Sequence, residues 1–128
     1  MARWKIKNVG MKGVAMAVPE NVVKTSDFDF FSQEEAEVFD NTVGIRRRHI
    51  APDNMCASDM CQAAAEKLLE ELGWERDSID VLLFESVTGD YRTPPTSCIL
   101  QDRLALSENC FCMDIPMGCC GCMYAITV

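Results

Sequence analysis

Between Ser58 and Ile115 the hydrophobic pattern of this chain changes period three times, and no other feature restricts its fold as tightly. From Ser58 to Leu72, the residues Met60, Cys61, Ala64, Ala65, Leu68, Leu69 and Leu72 recur at helical spacing. Gly73 follows as a stop signal, so a helix is predicted there. The next stretch, "IDVLLFESVT", is apolar without interruption from Val81 to Phe84, which predicts a strand covered on both faces. "TPPTSCILQDRLAL" then returns to a helical pattern, with Pro95 near the first turn. "NCFCMDI" is a second compact apolar strand, from about Cys110 to Ile115. This alternation predicts an α/β fold, with a mostly parallel sheet and flanking helices.

The first third of the chain is patterned less strongly. In "IKNVGMKGVAMAVP", Val14, Met16 and Val18 share one parity and Ala15 and Ala17 the other. With Gly10 and Gly13 as breaks, this predicts a strand or strand pair ended by Pro19. "SQEEAEVFDNTVG" predicts a short helix: Ser32 and Glu35 have capping-box spacing, and Gly44 can end it. "IRRRHI" reads as a short polar strand or extended loop. No internal repeat or low-complexity linker interrupts the 128 residues, and a chain of this length can bury a core, so residues 1–128 read as one domain.

The net charge of −8 argues against nucleic acid as a partner, because neutralising phosphates requires a basic surface. No apolar run approaches the roughly 20 residues of a membrane span, so no membrane association is expected. The basic start "MARWKIKNVG" lacks the long apolar core of a secretory signal. A reducing cytoplasm is therefore the expected location, with the eight cysteines held as thiols.

Three of those cysteines, Cys119, Cys120 and Cys122, crowd into "MDIPMGCCGCMYAITV", where Gly118 and Gly121 permit a turn. A metal site is not expected: the spacing is not that of paired C-x-x-C knuckles, and His49 is distant in sequence. Burial as small apolar side chains is the expectation for Cys56, Cys61, Cys98, Cys110 and Cys112. A cysteine in the first turn of a helix that follows a strand has a different prospect. Unpaired N–H groups and the helix dipole there stabilise a thiolate, and the position lies at the carboxyl end of the sheet. Spacing alone leaves a reactive thiol and a buried one both open here.

The segment "FCMDIPMGCCGCMYAI" resembles the active-site segment of the β-ketoacyl-(acyl-carrier-protein) synthase III family of the thiolase superfamily, approximately F-D-x-x-x-A-C-S-G-F-x-Y-A-L. The resemblance places the family's acyl-accepting nucleophile on Cys119, with Asp114, Gly121, Tyr124 and Ala125 matching around it. "VGIRRRHIA", "SDMCQAAAEKLLEELGWERDSIDVLLFESVT" and "TPPTSCILQDRLAL" resemble three further family segments in the same order. The resemblance runs from about Ile6 to the end of the chain.

It implies a thiolase-like N-terminal half, with the catalytic His and Asn supplied by a second half that this sequence lacks. It implies acyl transfer from a thioester of acyl-carrier protein or coenzyme A to Cys119. Decarboxylative condensation with a malonyl thioester would follow, with no metal or redox cofactor. It also implies a homodimer, joined through the strand that precedes the nucleophile. The isolated chain is then expected not to condense. Relatives that prime from acyl-coenzyme A usually carry a Trp and an Arg where this chain has Val38 and Thr42, which favours a carrier-protein donor. Arg46 and Arg48 are candidates for a phosphopantetheine phosphate, and Cys120 and Cys122 stand where the family often has Ser or Ala and Phe. The alternatives within this resemblance are a non-catalytic partner subunit of a condensing-enzyme heterodimer, a hydroxymethylglutaryl-CoA synthase-like enzyme and a type III polyketide synthase-like enzyme.

Overall fold

Residues 18–56 and the rest of the chain form two compact units in the computed structural model, which describes Lys5 and residues 7–128. The smaller unit, Val18–Cys56, holds β1 (Val22–Lys24), α1 (Gln33–Val43) and β2 (Arg47–His49). The larger, residues up to Ala17 together with Ala57–Val128, holds α2 (Ala57–Leu72), β3 (Val81–Glu85), α3 (Thr96–Arg103), β4 (Phe111–Ile115) and α4 (Gly121–Ala125).

In the smaller unit β1 and β2 pair antiparallel, with Val23 opposite Arg48. The capping box at α1 forms as its sequence requires. The Ser32 hydroxyl accepts the Glu35 N–H at 3.3 Å, and the Glu35 carboxylate accepts the Ser32 N–H at 2.9 Å. Gly44 ends the helix at φ 78°, a left-handed conformation that glycine adopts without steric cost. Thr25 is fully buried: its hydroxyl donates to Asp40 at 2.6 Å and accepts from the Arg48 guanidinium at 3.2 Å.

In the larger unit β3 and β4 pair in parallel, in register from Val81↔Phe111 to Glu85↔Ile115. Phe84, Leu100, Leu104, Cys110 and Ile115 are buried between this pair and the helices. Leu68, Leu69 and Leu72 of α2 face Ile79, Leu82 and Leu104 across a small apolar cavity of about 150 Å³. The helical period of α2 thus faces the sheet as its spacing predicted.

Two expectations fail. The alternating segment around Val14–Val18 joins no ladder, and among the described residues no strand precedes Val22. Val14 and Met16 are 75% and 78% exposed, whereas Ala15 and Ala17 are half-buried. The two-residue alternation is real, but the small parity faces inward. Backbone without a neighbouring strand has no ladder to join. The strand over Val81–Phe84 is also less covered than predicted. Val81 is 51% exposed and only Phe84 is buried, because the parallel sheet of the described residues has two strands. No helix of the described residues is long and apolar enough to cross a membrane.

Candidate functional site

The site is built outward from Asp114, near the end of β4. Helix α3 starts after Pro95, which provides no side-chain cap, so its first N–H groups need an acceptor from elsewhere. Asp114 supplies it. One carboxylate oxygen accepts the Thr96 N–H at 2.7 Å and the other the Ser97 N–H at 2.8 Å. Burial pushes the Asp114 carboxyl up, but the hydrogen bonds from Ser97 and Thr96 outweigh it and hold the group below the usual carboxylate range. Two bonds from consecutive amides tie the end of β4 to the start of α3.

That chain runs through Pro116 and Met117 into a tight turn. The Gly121 N–H donates to the Gly118 carbonyl at 2.7 Å, and Cys120 has φ −92° and ψ −7°. These are the angles of the third residue of a type I turn, which makes Cys119 the second. Helix α4 begins at Gly121, with Cys120 as its N-cap and no side chain capping it. A side chain at position 121 would have to displace the Glu85 side chain, which occupies the space that a Cβ there would need. Gly121 itself is buried.

Cys119 therefore stands one residue ahead of the N-cap, and not in the first turn of the helix as the sequence suggested. A type I turn and a first helical turn use the same right-handed backbone region, so residue spacing does not separate them. Helix α4 has only five residues, so few peptide dipoles align behind the thiol and the helix-dipole argument loses most of its force. Cys119, Cys120 and Cys122 are all exposed. The two cysteines of the preceding segment contrast with them: Cys110 is buried and Cys112 half-buried. Burial, reinforced by the neighbouring Cys110, pushes the Cys112 thiol up to about 11, so it keeps its proton at neutral pH.

The expected burial of Cys56, Cys61 and Cys98 does not hold, since all three are exposed. Cys61 and Cys98 lie on helices whose inward faces are filled by larger or more favourably placed residues, among them Leu68, Leu69 and Leu100. Arg46 and Arg48 belong to the smaller unit and Cys119 to the larger. Arg48 is engaged in its own unit: it donates to Thr25, and its guanidinium lies 6.0 Å from the Phe28 ring and 5.2 Å from the Phe39 ring. Arg46 is exposed. The His49 Nδ1–H donates to the Pro19 carbonyl at 2.6 Å.

A polar network that sequence reading missed braces the loop between β3 and α3. The Asp90 N–H donates to the Thr96 hydroxyl at 3.1 Å, and the Ser58 hydroxyl donates to the Asp90 carboxylate. Arg103 donates to the Ser58 hydroxyl at 2.9 Å and pairs with Asp59 at 3.0 Å. Its members are up to 45 residues apart, and no local pattern marks them. The capless start "PPTS" was the one legible signal, since it required a distant acceptor. Phe84, Ser86, Asp90, Tyr91, Asp114 and Pro116 line a cavity of about 470 Å³ at the carboxyl ends of β3 and β4.

No family model matches the chain. It is 36% identical over 117 residues to a β-ketoacyl-(acyl-carrier-protein) synthase III from Geobacillus kaustophilus, covering 91% of this chain and 37% of that protein. It is 33% identical over 129 residues to the synthase III of Sulfurovum sp., covering 100% of this chain and 38% of that protein. A crystal structure of 3-oxoacyl-(acyl-carrier protein) synthase from Burkholderia xenovorans superposes with a TM-score of 0.85 at 39% identity, over 90% of this chain and 33% of the other. The fold is thus the thiolase-like α/β fold of these enzymes, and the chain spans little more than a third of their length.

Proposed function

We propose, from a chain related along its length to part of β-ketoacyl-(acyl-carrier-protein) synthase III, that Cys119 is the acyl-accepting nucleophile of a 3-oxoacyl synthase. The observation that supports this most is local. An exposed thiol sits on a hydrogen-bonded turn just beyond β4, at the carboxyl end of a parallel strand pair. Asp114, five residues before the thiol, is held by the first amides of α3, and Gly121, two residues after it, packs against the Glu85 side chain.

In the proposed reaction the Cys119 thiolate attacks the carbonyl carbon of an acyl thioester. The tetrahedral intermediate expels the donor thiolate and leaves the acyl group on Cys119. A malonyl thioester then loses carbon dioxide, and the resulting carbanion attacks the acyl-enzyme and releases the Cys119 thiolate. The donor is an acyl thioester of carrier protein or coenzyme A. Val38 and Thr42, in place of a Trp and an Arg, favour the carrier protein. The chain acts in this reading as the thiolase-like N-terminal portion of a cytoplasmic synthase. It assembles as a homodimer through the outer edge of β4, where Phe111 is 52% exposed. The His and Asn that stabilise the enolate match no residue here, so acyl capture belongs to this chain and condensation does not. Oxyanion-stabilising donors are commonly worth about 100- to 1,000-fold each in rate.

The test separates the two half-reactions. The chain, purified free of host synthases, is incubated with a radiolabelled acyl thioester and then with a malonyl thioester. Labelled protein without 3-oxoacyl product is expected. No labelled protein, or ready formation of product, would contradict the reading.

A further inference from the structure

Cys119 and Cys122 form a C-x-x-C pair around Cys120 and Gly121. The two residues between them, Cys120 at φ −92° and ψ −7° and Gly121 inside α4, are both right-handed. Cys119 itself occupies the second position of a type I turn closed by the Gly121 N–H on the Gly118 carbonyl. The backbone from 119 to 122 therefore follows a single right-handed turn. Residues three apart on such a backbone share a face, with Cα atoms about 5 Å apart. Disulfides span Cα separations of roughly 4.4–6.8 Å. Both thiols are exposed.

The geometry points to a reversible oxidation site: Cys119 and Cys122 close a disulfide under peroxide, and a dithiol reopens it. Cys120 does not compete for either partner. Its Cα lies about 3.8 Å from that of Cys119 across the peptide bond, too close for ordinary disulfide geometry. It is two residues from Cys122, a spacing whose side chains point away from each other. The intervening Gly121 contributes no side chain to obstruct the bond. Cys110 and Cys112 are withdrawn toward the interior.

The chemistry balances with a hydroperoxide as the oxidant. The Cys119 thiolate attacks one peroxide oxygen; the O–O bond breaks, an S–O bond forms, and hydroxide leaves and takes up a proton as water. The Cys122 thiolate then attacks that sulfur, forming the S–S bond and expelling the second water. Two thiols have lost two electrons and two protons, and the peroxide has become two waters. Without Cys122, the sulfenic acid on Cys119 has no adjacent resolving thiol; it attacks a second hydroperoxide, gains a second S–O bond and releases another water, and the resulting sulfinic acid is not restored by a dithiol. That the bond also silences acyl capture rests on the reading of Cys119 given above; the bond itself does not.

The experiment oxidises the reduced chain with hydrogen peroxide in several-fold excess over the chain, blocks remaining thiols with N-ethylmaleimide, reduces with dithiothreitol and labels the recovered thiols with a second reagent. Tryptic peptide 104–128 then reports Cys110, Cys112, Cys119, Cys120 and Cys122 together. The second label is expected on Cys119 and Cys122, unchanged in Cys120→Ser. In Cys122→Ser it is expected on neither, with Cys119 found as sulfinic acid. Second label on Cys119 with Cys120, disulfide-linked dimers on a non-reducing gel, or equal loss of Cys119 to sulfinic acid in wild type and Cys122→Ser would each overturn the proposal. Acyl capture is measured on the same samples before oxidation. If the disulfide forms where acyl capture is absent, the functional reading fails and the oxidation site stands.

Discussion

Helices α3 and α4 both begin beyond the carboxyl end of a strand of the same parallel pair, and their starts are finished in opposite ways. At α3 the Asp114 carboxylate crosses from β4 and accepts two consecutive N–H groups, at 2.7 and 2.8 Å. The first turn is closed, and Thr96 and Ser97 are fully buried beneath it. At α4 no side chain caps Cys120, and Cys119, Cys120 and Cys122 are exposed thiols. The same topology thus yields one start committed to holding the fold together and one left available for chemistry.

Substitutions at the two starts should have different kinds of consequence, and the largest is expected at the open one. Cys119→Ser should reduce covalent acyl capture to background while leaving the denaturation midpoint unchanged, as read by intact-protein mass and urea titration. Asp114→Ala should behave conversely. It strips the acceptor from two charge-assisted hydrogen bonds, at a cost of about 2–4 kcal/mol in unfolding free energy. Its pH dependence has a definite sign. The folded carboxyl lies below its ordinary value, so its contribution is complete above about pH 4 and is lost as pH falls through the depressed folded value. Wild type should therefore lose stability on acidification by more than Asp114→Ala does. Equal acid sensitivity would mean that Asp114 is not the closing group.

A third helix start calibrates the scale. The capping box of α1 involves one exposed side-chain pair, and Ser32→Ala should cost about 1 kcal/mol. The smallest effect is expected at Gly121→Ala. The new methyl group would displace the Glu85 side chain, which is flexible enough to swing aside, so the cost should stay under about 1 kcal/mol and shrink in an Glu85→Ala background. A loss of several kcal/mol would show that the turn before α4 is as tightly closed as the start of α3.

The elements with a local cause were legible before the structure. The Ser32–Glu35 box, the left-handed Gly44, the helical stripe of α2 and the two apolar runs that become β3 and β4 all follow from residues a few positions apart. Features determined by distant partners were not. Nothing near residue 114 says that its carboxylate closes a helix starting 18 residues earlier. The segment around Val14 and Met16 alternates as a strand does, yet a strand also requires a neighbour. At the candidate site, the resemblance of "GCCGC" selected Cys119, but whether that residue opens the helix or precedes it depends on one turn. Cysteine exposure was the least legible property, because the same small side chain is buried at Cys110 and exposed at Cys98.

The most direct test of Cys119 as the acyl acceptor maps where the acyl group goes. The reduced chain is exposed to an acyl thioester, quenched in acid to preserve thioesters, digested and sequenced by mass spectrometry across residues 104–128. The acyl group is expected on Cys119, with Cys110 and Cys112 unmodified. An acyl group first on Cys120 or Cys122, or on Cys112 despite its thiol being pushed up to about 11, would contradict the assignment.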